Sequence, residues 1–250
     1  MTSAVLTAAG ALQKRLGADK IVLAVDDSLC VKVFGTWKLS AVRLFYDHVE
    51  QRRQTHNHSN ASRYICLMLV LGPFSFSLTW RLSLKRGQVS KLRCNGHARV
   101  TFLTTHQLVE QMPKEVDTCL PSGQVYVLLD SWHASQVMFK AVRKRGRHLV
   151  CASRSNRLLS GVPLIQLWRK LAQQRARRIT LRSTKGKRSC RARITCGRVR
   201  SCVHDVAVVI TKRHRLDLTP AYFMSSDSAL SATAILKCYS LRLNCELGNW

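Results

Sequence analysis

VYVLLD, Val125 to Asp130, runs straight into SWHASQVMFKAVRKRG (131–146) and then into HLVCAS (148–153). The first segment is an apolar strand that ends in a carboxylate. The second has helical character up to Gly146, a residue that stops helices, and the third is again a strand. Strand, helix and strand in this order make a βαβ pattern. It sets Asp130 at the carboxyl end of the first strand, the edge of an α/β sheet where sites form.

Working outward, IVLAVDD (21–27) repeats the same grammar: a short β-branched apolar run ending in Asp26 and Asp27. Three more strand-like runs follow, around Val42–Val49, Tyr64–Leu71 and Phe74–Leu84, with Gly-, Asn- and Ser-rich separators that suit an antiparallel meander. Thr104 to Met112 reads as a short helix, with Thr104 and Gln107 at capping-box spacing. YICLMLVLGPFSFSLTW (64–80) is the one stretch that raises the question of a membrane span. Gly72 and Pro73 split it, so two buried strands around a turn are expected and no transmembrane segment. Downstream, residues 169–200 carry thirteen Lys and Arg, and no Asp or Glu occurs between Asp130 and Asp205. HDVAVVITKR (204–213) is a further strand. From about Ser228 the chain reads as helix, with Leu230, Ala234, Cys238, Leu241 and Cys245 at 3.6-type spacing.

The 250 residues hold 41 Lys and Arg against 13 Asp and Glu, a formal charge of +28, and 46% are apolar. Wholesale disorder is excluded. The charge calls for a polyanionic partner, nucleic acid first; the plainer alternative is a ribosomal-type or merely soluble basic protein. Ten cysteines spread from Cys30 to Cys245 with no CxxC pair, and Cys190, Cys196 and Cys202 do not have a common zinc spacing. The N-terminus lacks a secretory pattern, so reduced thiols in a cytoplasmic protein are expected.

Acidic residues are scarce enough to inspect singly. Asp26, Asp27 and Asp130 end two strands that could lie side by side. Glu246 shares a helical stripe with Tyr239 and Arg242. Three converging carboxylates in a basic protein can hold two divalent ions about 4 Å apart, one activating water or a 3′-hydroxyl and the other stabilising the leaving oxygen. Hard oxygen ligands suit Mg²⁺ or Mn²⁺ rather than zinc. The alternative is that Asp130 caps the following helix and Glu246 lies on a solvated face.

Tyr239-x-x-Arg242-x-x-x-Glu246 resembles the Tyr–Arg–Glu–Lys motif of DDE transposases of bacterial insertion sequences. AVDDS and VLLDSWHAS resemble that family's first and second catalytic-Asp strands. TPAYFMSSDSALSATAILKCYSLR looks like the lead-in to its catalytic-Glu helix, and SRSNRLLSG like the Lys-Ser-Asn-Arg stretch after the second Asp strand. The likeness covers nearly the whole chain, from about Val22 to Glu246. It implies an α/β, RNase H-like catalytic domain, a mixed sheet flanked by helices, with a basic β-rich insertion before the last catalytic helix. The implied organisation is an N-terminal remnant (1–20), the first part of the core (21–160), the insertion (161–215) and a truncated catalytic-helix region (216–250).

The resemblance assigns Asp26, Asp130 and Glu246 as catalytic metal ligands, with Asp27 as the competing first carboxylate, and two Mg²⁺ or Mn²⁺ ions as cofactors. Arg242 would contact a DNA phosphate, Tyr239 would position the strand end, and Arg175, Arg177, Arg178 and Arg182 of the insertion would bind DNA. Transposon ends and target DNA are the implied partners, with a homodimer in a synaptic complex, in the bacterial cytoplasm at the nucleoid. The sequence departs from the pattern in several places. The motif's Lys would fall three positions past Trp250, Leu243 replaces a Trp, and Cys245 replaces an aliphatic residue. With only about 20 residues before the first strand there is no room for an N-terminal end-binding domain, so a truncated or weakly active copy is expected. A non-catalytic nucleic-acid-binding protein and an RNase H-like nuclease without transposition are the rival functions.

Overall fold

Continuous apolar runs become strands covered on both faces. In the computed structural model, strand β5 (Gln124–Leu129) is buried from Val125 to Leu129, and β1 (Lys20–Val31) from Ile21 to Asp26. The structure describes residues 2–16, 20–31, 42–46, 58–72, 74–117, 120, 123–183, 186–199, 204–213 and 219–242. Two compact units divide the chain: residues 1–25, 68–76 and 119–250 form one, and residues 26–67 and 77–118 the other.

The first unit opens with helix α1 (Thr2–Leu16), which the sequence reading did not anticipate. Its sheet runs in the order β3 (His58–Leu71, by its last residues), β1, β5, β6 (His148–Ser153), β12 (Ala221–Ser225), β11 (Asp205–Lys212), β10 (Gly186–Arg198), β9 (Arg177–Ser183). Strands β1, β5 and β6 are parallel, and every pairing from β6 to β9 is antiparallel. The sheet is therefore mixed, flanked by helices, as the α/β RNase H-like expectation requires. The cation-rich segment is itself sheet, forming β9, β10 and the turn regions beside them.

Helix α4 (Gln136–Arg143) makes the crossover from β5 to β6, but it begins at Gln136, not at Ser131. The reason lies in Asp130. Its Oδ1 accepts the backbone N–H groups of Trp132 and His133, each at 3.0 Å, closing a turn that competes with helix. Ser135 then caps the helix, accepting from Met138 N–H at 3.4 Å. Asp130 thus caps the turn, not the helix. The helix stops where expected: Gly146 has φ 65°, and the N–H groups of Gly146 and Arg147 reach the carbonyls of Arg143 and Val142.

After β6 come a short pair, β7 (Leu158–Leu159) with β8 (Val162–Pro163), and helix α5 (Leu164–Lys170), none of them legible beforehand. This segment is stitched to β10. Ser160 N–H donates to Arg198 O at 2.7 Å, and Arg198 N–H donates to Ser160 Oγ at 3.1 Å. Gly197 lies beneath it, where a Cβ would stand 2.8 Å from Ser160 Oγ and 3.1 Å from Leu159 Cγ.

Helix α6 (Ala232–Ser240) starts later than Ser228, because Ser231 is its cap and accepts from Ala234 N–H at 3.2 Å. Leu230 precedes that cap, and the side chains that bury are Ala232, Ile235 and Leu236, not the Leu230–Ala234–Cys238–Leu241 stripe. The helix packs on β6 and on β9 to β12. Leu243, Cys245 and Glu246 lie outside the described residues.

In the second unit, β2 (Arg43–Tyr46) pairs antiparallel with residues 58–61 of β3. Strand β4 (Phe74–Ser83), most of which belongs here, pairs with β3. The chain between them turns at Gly72, φ 57°, so the apolar stretch at 64–80 is two strands around a turn. Among the described residues no helix is long and apolar enough to cross a membrane. Helix α2 (Arg86–Cys94) was not anticipated; α3 (Thr105–Val116) was, and it extends beyond Met112. Its capping box is reciprocal: Gln107 N–H donates to Thr104 Oγ1 at 3.3 Å, and Thr104 N–H to Gln107 Oε1 at 2.8 Å.

Candidate active site

Parallel pairing sets Ala24 of β1 opposite Leu128 of β5. Asp26 follows Ala24 by two residues and so stands within β1, five residues before Val31, and not, as expected, at a strand end. Side chains alternate along a strand, so Asp26 keeps the face of Ala24 and Asp27 takes the other. Their surroundings differ accordingly. Asp27 Oδ2 is gripped by Arg63 of β3, which donates from Nε at 2.8 Å and from Nη2 as well. Asp26 is 6% exposed. It acts on Cys66: burial pushes that thiol's pKa up, the Ser77 hydroxyl 3.4 Å away lowers it, and the Asp26 charge raises it again.

Asp130 stands at the end of β5 with one carboxylate oxygen held by the two backbone N–H donors. Tyr239, on α6, comes near enough to feel its charge. Burial raises the Tyr239 pKa, the Arg242 guanidinium opposes that, and the charge of Asp130 adds to the rise. Arg242 is 9% exposed and donates a hydrogen bond to the Tyr239 hydroxyl. Phe223 of β12 packs against the Tyr239 ring, centroids 4.9 Å apart, and fixes its plane. The phenol and guanidinium expected to serve a DNA strand end therefore hold each other.

Beside Asp130, Trp132 is 55% exposed and carries the Arg154 guanidinium 4.5 Å from its ring centroid. Arg157 donates to the carbonyl of Ala134 and braces the same turn. The sequence held both arginines within the SRSNRLLSG stretch but gave them no role, because only the fold brings residues 154–157 back to residues 132–134. Of the insertion's arginines, Arg175 lies just before β9, and Arg177, Arg178 and Arg182 lie on it; the first three are exposed.

Among the described residues no group of three or more metal-ligating side chains occurs. Glu246, the expected third ligand, lies outside them. Asp26 and Asp130 are hard oxygen donors, and Asp130 has an oriented carboxylate, which fits a hard divalent cation better than zinc.

The mixed α/β sheet, with Asp130 at the carboxyl end of β5 on a chain of +28 charge, is the setting of a nucleic-acid enzyme. The chain belongs to the DDE superfamily endonuclease family, whose pattern matches residues 5–178 and so includes Asp26, Asp27 and Asp130. That family works with divalent metal ions. Among solved structures, the chain is similar to one described as a cryo-EM structure of a piggyBac transposase synaptic complex with hairpin DNA. The TM-score is 0.44 and the identity 13%, over 91% of this chain and 40% of that one. The chain thus spans about two fifths of that transposase's length. The comparison with curated proteins gave no match.

Proposed function

We propose that this chain is the catalytic part of a DDE-type transposase of a bacterial insertion sequence. It would cut a phosphodiester at the element's DNA ends and join the freed 3′-hydroxyl to target DNA, acting as a homodimer on paired ends. The observation that carries this reading is Asp130, set at the carboxyl end of β5 with its carboxylate oriented by two backbone N–H donors, in a chain that belongs to the DDE superfamily endonuclease family. The pairing of Asp27 with Arg63 favours Asp26 as the first ligand.

Asp26, Asp130 and Glu246 would hold two Mg²⁺ or Mn²⁺ ions, which supply charge stabilisation for the attacking and leaving oxygens of an in-line displacement. The backbone donors on Asp130 keep its carboxylate aimed before substrate arrives. Such preorganisation removes reorganisation from the chemical step. Arg242 would keep the phenol of Tyr239 in place beside the strand end while adding positive charge there.

Asp130→Asn tests the assignment cleanly. An Asn side-chain oxygen still accepts the Trp132 and His133 N–H groups, so the turn survives while the charge is lost. Calorimetric titration with Mn²⁺ should show weakened binding, with affinity for duplex DNA equal or slightly higher. Unchanged Mn²⁺ affinity would leave Asp130 a turn cap and sink the catalytic reading.

A further inference from the structure

The pairing of β9 with β10 sets Arg178 opposite Arg191, Thr180 opposite Ser189 and Arg182 opposite Lys187. The pairing of β10 with β11 sets Arg191 opposite Lys212. Strand alternation puts all of these positions on one face of the sheet. The opposite face carries Ile179 and Ala192, 4% and 2% exposed, and lies under α6. On the first face Arg178, Thr180, Lys187, Ser189 and Arg191 are exposed, and the Thr180 and Ser189 hydroxyls are 3.2 Å apart.

Arg178, Arg191 and Lys212 thus form a row across three strands, each about 5 Å from the next. Lys187 stands four residues along from Arg191, about 13 Å away, with the hydroxyl pair between. Like charges set directly opposite one another destabilise a sheet. Guarding an exposed edge explains cations on β9, the last strand. It does not explain Arg191 and Lys212, which stand on strands with a neighbour on each side.

Not every cation nearby has the same use. Arg193 is on the same face, but it stacks over Trp168 at 4.4 Å and donates to the carbonyls of Trp168, Ala172 and Gln174, closing the end of α5. Lys212 Nζ also approaches the Trp168 ring, at 5.4 Å. Arg198 pairs with Asp205 at 4.0 Å. No carboxylate occurs from residue 131 to residue 204 to balance the row.

We propose that the exposed part of this face, on β9 and β10 with Lys212 at the end of β11, is a track for the phosphate backbone of duplex DNA; further back on β11 the same face is buried at Val206, Val208 and Ile210. The cations of the track are Arg178, Lys187, Arg191 and Lys212, and the Thr180 and Ser189 hydroxyls are donors between them. The proposal rests on DNA being the substrate. It replaces a diffuse basic segment with a defined set of contacts that leaves out Arg177 and Arg193. Backbone contacts position a duplex without reading its sequence, so the track would hold any DNA.

The test is fluorescence anisotropy of a labelled random-sequence duplex with the full chain, without divalent metal, over a range of NaCl concentrations. The double variant R191Q/K212Q should lower the slope of log affinity against log salt by about 1.8, roughly 0.9 per phosphate contact. The control R188Q/R198Q, whose positions alternate onto the other face of β10, should leave the slope unchanged. Thermal melting of free R191Q/K212Q should be equal to or above that of the parent, since a like-charge pair is relieved. An unchanged slope in R191Q/K212Q, an equal fall in the control, or a tighter grip on an RNA duplex of the same sequence would overturn the track. Asp130→Asn reads the catalytic assignment separately, through metal binding, so either proposal can fail alone.

Discussion

Arg63 reaches Asp27 with two guanidinium nitrogens, whereas one residue earlier Asp26 lies buried beside Cys66. Asp26→Asn should therefore reduce metal-dependent cleavage of a duplex by on the order of a hundredfold or more, because it removes a fixed charge from the reacting centre. Asp27→Asn should leave cleavage near the parent rate. Its effect should be confined to stability, by up to about 1 kcal/mol for a partly exposed pair. A nicking assay with Mn²⁺, alongside urea melts of both variants, separates the two. Equal loss of cleavage in both would return Asp27 to the site. The sequence showed two adjacent carboxylates at an expected strand end and could not choose between them. The choice needs a strand register and a partner 36 positions along the chain, and neither is a local property.

At the scale of elements, Gly197 allows the 158–163 segment to lie on β10. An alanine there would push against Ser160, whose own N–H and Oγ are tied to Arg198. Gly197→Ala should lower stability by about 1–3 kcal/mol, as overpacking does at close contacts. A denaturant melt with no change in midpoint would show that the stitch gives way freely. The buried strands were legible because continuous apolar runs such as IVLAV and VYVLL have few other uses. The helix starts were less so. Asp130 and Ser135 are both capping residues upstream of one helical pattern, and only side-chain geometry shows that the first closes a turn and the second the helix. The resemblance offered Arg178 as a DNA contact but not its row, since Arg178, Arg191 and Lys212 become neighbours only through strand register.

For the molecule as a whole, a formal charge of +28 makes the native state repel itself. Raising NaCl from about 20 mM to about 300 mM shortens the Debye length to well under 10 Å, so the melting temperature should rise with salt. Duplex DNA should raise it further, most at low salt, where binding is tightest. A melting temperature indifferent to salt would mean that the charges are too well spread to matter. The parallel pairing of β1 with β5 also has a consequence during synthesis. Lys20 meets Gln124, a partner 104 residues downstream, so at about 5–20 residues per second β1 leaves the ribosome roughly 5–20 s before that partner exists. Strand β3 arrives sooner and can cover one side of it, but the other edge, from Ile21 to Val25, stays open throughout. A holding chaperone waiting at the exit tunnel would find its binding segment there.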